Sequence, residues 1–136
     1  MLFRSDGLHH DGAAFLKAAD AFDIVGASVT APLKAGWAAR GVEVEEIGRE
    51  VGAINTLKRT AAGWTARNFD VDGFLAPLLR RNVALRGAKC VVLGAGGAAR
   101  AIVHGFLEEG VDEVRVFNRT RERAEQVGRA SCRERV

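Results

Sequence analysis

The sequence predicts an α/β chain built in two parts, and three observations carry that prediction. An apolar run, Lys89–Leu93, leads directly into a glycine-rich turn and then a helical stretch, Ala98–Glu109. A second β-branched run, Glu113–Phe117, follows a break at Gly110–Asp112. Strand, crossover helix and strand in that order form a parallel βαβ unit. Upstream, Ala53–Arg59 and Trp64–Asn68 flank a turn at Thr60–Gly63, which predicts an antiparallel hairpin in a separate layer.

The remaining elements follow in chain order. Asp11–Phe22 places Ala13, Ala14, Leu16, Ala18, Ala19 and Phe22 at helical spacing. Asp23–Val29 reads as a short strand ending in Thr30. Ala31-Pro32 then imposes extended or turn geometry, and Pro32 suits the first turn of a helix carrying Lys34 to Arg40. Glu43–Val51 predicts a second short helix or turn. Val71–Asn82 is helical, with Phe74, Leu75, Leu78 and Leu79 on one side and Pro77 placed to bend it. Asn82–Gly87 is a linker. The last helix is expected over Arg121–Val127, and the final R-A-S-C-R-E-R-V, which has no apolar face, is expected to fray.

Composition narrows the class. With 48% hydrophobic and 27% charged residues in 136, the chain is of the globular type. No apolar run approaches the roughly 18 residues of a membrane span. The start, M-L-F-R-S-D-G-L-H-H-D-G, lacks the basic-then-apolar layout of a signal peptide. Cys90 and Cys132 provide neither a disulfide framework nor metal-ligand spacing, so reduced thiols and a cytoplasmic setting are expected. His9, His10 and His104 are scattered and predict no metal site. Trp37 and Trp64 read as packing residues, and Cys90 as a buried, inert thiol. The net charge of +3 is uneven, with arginines at 115, 119, 121, 123, 129, 133 and 135. A nucleic-acid arm would interleave aromatics among its arginines, and here the single aromatic, Phe117, belongs to the second strand; a phosphate ligand accounts better for part of the stretch.

The glycine turn supplies that ligand. Gly94, Gly96 and Ala99 match G-x-G-x-x-G/A, with Gly97 as an extra glycine. The first glycine permits a sharp turn, the second lets backbone approach a pyrophosphate, and the helix N-terminus offers free N–H groups. Gly94, Ala95, Gly96, Gly97 and Ala98 are therefore the candidate cofactor-binding turn of a Rossmann unit. The ribose end of such a cofactor is read at the tip of the second strand. An NAD site places an acid there. Here the tip is Asn118-Arg119-Thr120-Arg121, followed by Arg123. An arginine can fork onto a 2′-phosphate and a threonine can donate a hydroxyl, so Asn118, Arg119, Thr120 and Arg123 point to NADP.

Three further stretches, Ser28-Val29-Thr30-Ala31-Pro32-Leu33-Lys34, Gly52-Ala53-Ile54-Asn55-Thr56 and Asn68-Phe69-Asp70-Val71-Asp72-Gly73, precede G-A-G-G-A at 94–98 and N-R-T at 118–120. In order and spacing these five resemble the shikimate dehydrogenase family over about residues 22 to 127. The resemblance implies NADPH-dependent reduction of 3-dehydroshikimate to shikimate, in aromatic amino-acid biosynthesis. It implies Lys34 and Asp70 as the catalytic pair, Thr30 and Asn55 as ligands of the substrate hydroxyls, and Arg119, Thr120 and Arg123 as holders of the 2′-phosphate.

Two departures stand out. The usual N-V-T is Ser28-Val29-Thr30, and the usual N-T-D is Asn68-Phe69-Asp70, which removes a hydroxyl but keeps the carboxylate. The family's S-x-S motif is expected upstream of residue 1, and its later substrate-contacting glutamine beyond residue 136.

The chemistry suits these residue types. Carbonyl reduction builds negative charge on oxygen, which an ammonium can stabilise and protonate. A neighbouring carboxylate orients that ammonium. Taken alone, Lys34 also reads as a surface lysine, and Asp70 as the N-cap of the helix it heads.

The organisation expected is a partial N-terminal α/β substrate domain at 1–70, a connecting helix and linker at 71–85, and a truncated Rossmann NADP-binding domain at 86–136. The expected partner is a small molecule, with no nucleic acid and no membrane, in a monomer or homodimer at full length. The parent could also be fused to a dehydroquinase. Two rival readings remain: a quinate/shikimate dehydrogenase on the same scaffold, and a non-catalytic NADP-binding module.

Overall fold

The computed structural model describes residues 12–131. His9 and His10 lie outside the described residues, as does Cys132. The elements, in order, are α1 (Gly12–Ala21), β1 (Gly26–Ser28), β2 (Glu43–Val44), α2 (Glu46–Val51), β3 (Thr56–Thr60), β4 (Gly63–Arg67), α3 (Asp70–Arg80), β5 (Lys89–Leu93), α4 (Gly97–Glu108), β6 (Glu113–Phe117) and α5 (Arg121–Ser131). A 3-10 turn, Ala38–Arg40, lies between β1 and β2.

Among the described residues the strands form two sheets. The first has order β1-β3-β4-β2, with β3 antiparallel to both β1 and β4, and β2 parallel to β4. The expected hairpin is its centre, in register from Thr56↔Arg67 to Thr60↔Gly63. The second is the parallel pair β5–β6, with Leu93 opposite Phe117, joined through α4. Alternation along these strands puts Val92 against the helices and leaves Val91, Leu93 and Phe117 on an uncovered face, where Leu93 is 83% exposed.

Two apolar clusters hold the layers. One gathers Val29, Trp37, Val42, Val44, Ile54, Leu57 and Ala66 under the first sheet, with Phe15 edge-on to both Trp37 and Trp64. The other joins Val92, Ala99, Ala101, Val103 and Phe106 to Val71, Leu75 and Leu85, and also to Val51 and Ala53. Each fully buried aliphatic side chain contributes about 1.5–3 kcal/mol. The second cluster therefore ties α2 and α3 firmly to the glycine-turn helix α4. Close approach makes this possible. A Cβ on Gly105 would lie 3.0 Å from Leu75 Cδ1 and 3.3 Å from Val71 Cγ1, so α3 and α4 meet at a position without a side chain.

Several local expectations are corrected. No helix carries Lys34 to Arg40; residues 31–35 form turns, and only the 3-10 turn follows. Gly36 at φ +79° and Gly41 at φ +76° adopt left-handed backbone, which a helix cannot continue through. Glu43–Val51 divides into a strand and a helix. β1 is shorter than Asp23–Val29, because Asp23 turns the chain at φ 50°. α3 runs through Pro77 without interruption, and Leu79 lies on its exposed side, with Val71 taking the buried place expected for it. α5 continues to Ser131, past the expected end at Val127, because Gly128 lowers helix stability by only about 1 kcal/mol. Cys90 is half-buried rather than buried.

Candidate functional site

Lys34 reaches the site from the turn after β1. Its carbonyl accepts the Ile54 N–H at 2.7 Å, which fixes its backbone against the segment leading into β3. Its Nζ donates to Asp70 Oδ2 at 2.5 Å, with the two side chains 17% and 26% exposed. The second carboxylate oxygen, Oδ1, accepts from Asn55 Nδ2 at 2.8 Å. Asn55 is itself held, since its Oδ1 accepts from Thr56 Oγ1 and from the Phe69 N–H, both at 3.0 Å. Both oxygens of Asp70 are thus occupied, and an ammonium has donor capacity beyond the one hydrogen bond it makes to Asp70.

Asp70 does not cap its helix. It is the first helical residue, Phe69 stands at the N-cap position without a side-chain cap, and the Asp70 carboxylate is committed to Lys34 and Asn55. The local partner of the helix start is Asn68. Its Oδ1 accepts the Asp70 N–H at 2.8 Å, and its Nδ2 donates to the Ala53 carbonyl at 2.9 Å. Asn68 is 0% exposed, a buried polar residue with both ends satisfied. Sequence reading did not single it out as a functional residue. The signal was present, because an Asn two residues before a helix-opening Asp is the pattern of an Asx turn.

The glycine turn lies beside this pair. Gly94 takes φ +110° and donates its N–H to Phe117 O at 2.7 Å, which closes the ladder between β5 and β6. Gly96 is extended at the N-cap of α4. A Cβ on Gly94 or Gly96 would meet nothing within 4 Å, so the turn presents bare backbone to open space, as a phosphate cradle requires. A Cβ on Gly97 would instead lie 2.9 Å from Lys34 Cδ. Ala95 is half-buried and Ala98 exposed. Arg100, a turn further on, reaches Gly52 O at 3.4 Å and links α4 to the end of α2.

At the tip of β6, Asn118 Nδ2 donates to Thr120 O at 2.8 Å and closes the loop into α5. Arg119, Thr120 and Arg123 are exposed there, and Arg121 pairs with Glu125 at 3.0 Å. Glu122 is the acid in the first turn of α5, and the strand tip itself carries none. The structure therefore brings Lys34, Asn55, Asp70 and Gly97 together, and sets the end of β6, from which residues 118–123 lead on, beside Gly94. Thr30 lies exposed at the head of the Lys34 turn, its carbonyl accepting the Leu33 N–H at 2.9 Å. His104 Nε2 lies 3.7 Å from Glu50 Oε2, away from these groups. Among the described residues no cluster of His, Cys, Asp or Glu could hold a metal, and no helix is long and apolar enough to cross a membrane.

Fold and site together define a Rossmann-like α/β protein in which a glycine turn abuts a lysine–aspartate pair. Comparison with known proteins gives that class a family. Residues 78–135 match the model of shikimate / quinate 5-dehydrogenases. A curated relative, the shikimate dehydrogenase (NADP(+)) of Synechocystis sp., is 44% identical over 103 residues, covering 76% of this chain and 36% of its own length. The shikimate 5-dehydrogenase of Thermus thermophilus, solved with NADP(H) and shikimate, is 32% identical with a TM-score of 0.74, covering 88% of this chain and 45% of that one. The quinate dehydrogenase of Corynebacterium glutamicum, solved with NAD, is 27% identical with a TM-score of 0.79, covering 94% of this chain and 46% of that one. The chain belongs to the shikimate dehydrogenase family along the stretch matched. It spans a little over a third of the length of the curated relatives it matches.

Proposed function

We propose that this chain carries the catalytic pair and the first cofactor contacts of an NADP-dependent shikimate dehydrogenase, which interconverts 3-dehydroshikimate and shikimate. The observation that carries the reading is the contact between Lys34 and Asp70, set against the glycine turn. A nicotinamide cofactor, when bound, supplies the hydride. Lys34 Nζ donates a hydrogen bond and then a proton to the substrate oxygen as charge builds on it. Asp70 orients that ammonium through Oδ2, and Asn55 keeps the carboxylate in place through Oδ1. Thr30 and Asn55 are the proposed contacts of the substrate hydroxyls. Gly94, Ala95, Gly96 and Ala98 form the proposed pyrophosphate turn, with Asn118, Arg119, Thr120 and Arg123 around the 2′-phosphate. Residues 1–70 then serve the substrate, 71–85 connect, and 86–136 begin the cofactor domain. A cytoplasmic setting and a small-molecule partner accord with this role.

A second reading, quinate oxidation with NAD, is favoured by the likeness to the Corynebacterium enzyme. The basic tip at 118–123 weighs against NAD. The test is steady-state oxidation of shikimate and of quinate, each with NADP and with NAD, by the full polypeptide its gene encodes. Shikimate with NADP is expected to give the highest kcat/KM. Quinate with NAD as the best pair would establish the second reading, and binding of NADPH without turnover of either acid would defeat both.

A further inference from the structure

We propose that Gly97 is a positioning residue for Lys34 rather than a contact of the cofactor. The dinucleotide fingerprint is complete with Gly94, Gly96 and Ala99, so Gly97 is surplus to it. Nor does the backbone need a glycine there. Gly97 opens α4 and does not take the positive φ that Gly94 does. Within a helix, alanine is favoured over glycine by about 1 kcal/mol, so the missing side chain calls for another cause.

Lys34 provides that cause. A Cβ on Gly97 would stand 2.9 Å from Lys34 Cδ, 3.4 Å from Lys34 Cβ and 3.6 Å from Ala53 Cβ. Carbon atoms in contact normally sit about 3.5–4.0 Å apart. Lys34 has little freedom to yield, because it is held at both ends. Its carbonyl is bonded to the Ile54 N–H and its Nζ to Asp70 Oδ2. A methyl group at 97 therefore displaces the middle of the lysine chain and, with it, Nζ from Asp70. The glycines of the turn divide between two tasks. Gly94 and Gly96, whose Cβ positions meet nothing, keep backbone open to a ligand; Gly97 seats the lysine.

The catalytic consequence rests on the function proposed above, whereas the packing consequence does not, and the experiment separates them. Thermal melts of the cofactor-free full polypeptide are compared for wild type, Gly97→Ala, Lys34→Ala and the double variant. Gly97→Ala is expected to lower Tm by several degrees when Lys34 is present, and to leave Tm level or raised in the Lys34→Ala background. In wild-type background Gly97→Ala is also expected to cut kcat tenfold or more, with the NADPH Kd, read by fluorescence, changed less than twofold. An equal Tm change in both backgrounds would overturn the proposal. So would an NADPH Kd that rises in step with the loss of kcat. If the wild type turns over no substrate, the functional reading fails, and the melts alone still decide the role of Gly97.

Discussion

The backbone N–H of Asp70 donates to Asn68 Oδ1 at 2.8 Å, and through its other end Asn68 holds Ala53, next to the Ile54 that fixes Lys34. One buried amide thus fastens both segments that carry the ion pair. Asn68→Ala leaves the Ala53 carbonyl and the Asp70 N–H without their partner, at a cost of about 1–3 kcal/mol for each group that water does not reach. Urea unfolding is expected to show a loss of about 2 kcal/mol or more. Asn68→Asp keeps an acceptor but buries a carboxylate, which desolvation pushes above its ordinary pKa. A group raised in the folded state favours folding below its pKa, so the deficit relative to wild type should shrink as pH is lowered. A deficit that grows toward low pH would show that the site is not dry.

The ion pair itself should govern turnover. Lys34→Ala and Asp70→Asn are each expected to lower kcat by about 10²–10⁴, the usual contribution of a positioned acid–base group. Circular dichroism should report an unchanged fold. Rates within twofold of wild type in both variants would remove the pair from the chemistry.

Cofactor discrimination is expected to lie with Arg119. A charge-assisted hydrogen bond is worth about 1.5–3 kcal/mol. Since about 1.4 kcal/mol is a factor of ten, Arg119→Ala should weaken NADPH by roughly tenfold or more and leave NADH nearly unchanged. Equal weakening of both cofactors would place the 2′-phosphate elsewhere.

Gly105 is expected to limit how closely α3 and α4 can pack. Alanine there gains about 1 kcal/mol in helix propensity but presses on Leu75 and Val71, and overpacking typically costs about 1–3 kcal/mol. A net loss of about 1 kcal/mol in urea unfolding is the expected result for Gly105→Ala, and a net gain would mean that α3 yields freely.

Legibility in the sequence followed the range of the interaction that decides each element. β5, β6 and the hairpin were readable because apolar alternation and turn residues lie within the segment itself. The glycine turn was readable for the same reason. The helix expected around Lys34 failed because Pro32 suggested a start, whereas Gly36 and Gly41 settle the backbone in left-handed conformations. Asp70 looked like a cap because its neighbours in sequence are helical; its actual partners are 36 and 15 residues away. The extra glycine at 97 was visible as a letter without a reason. Its reason is a side chain from another part of the chain, which no spacing within the turn encodes.

Val51 and Ala53 share a core with Val92, Ala99 and Phe106, on the far side of the 82–87 connection. The covalent joint is therefore not what keeps the halves together. A protease nick between Asn82 and Gly87 should yield two pieces that migrate as one until denaturant is added. Neither piece offers a ready unit for separate expression, because each would carry into water the apolar surface that the other now covers.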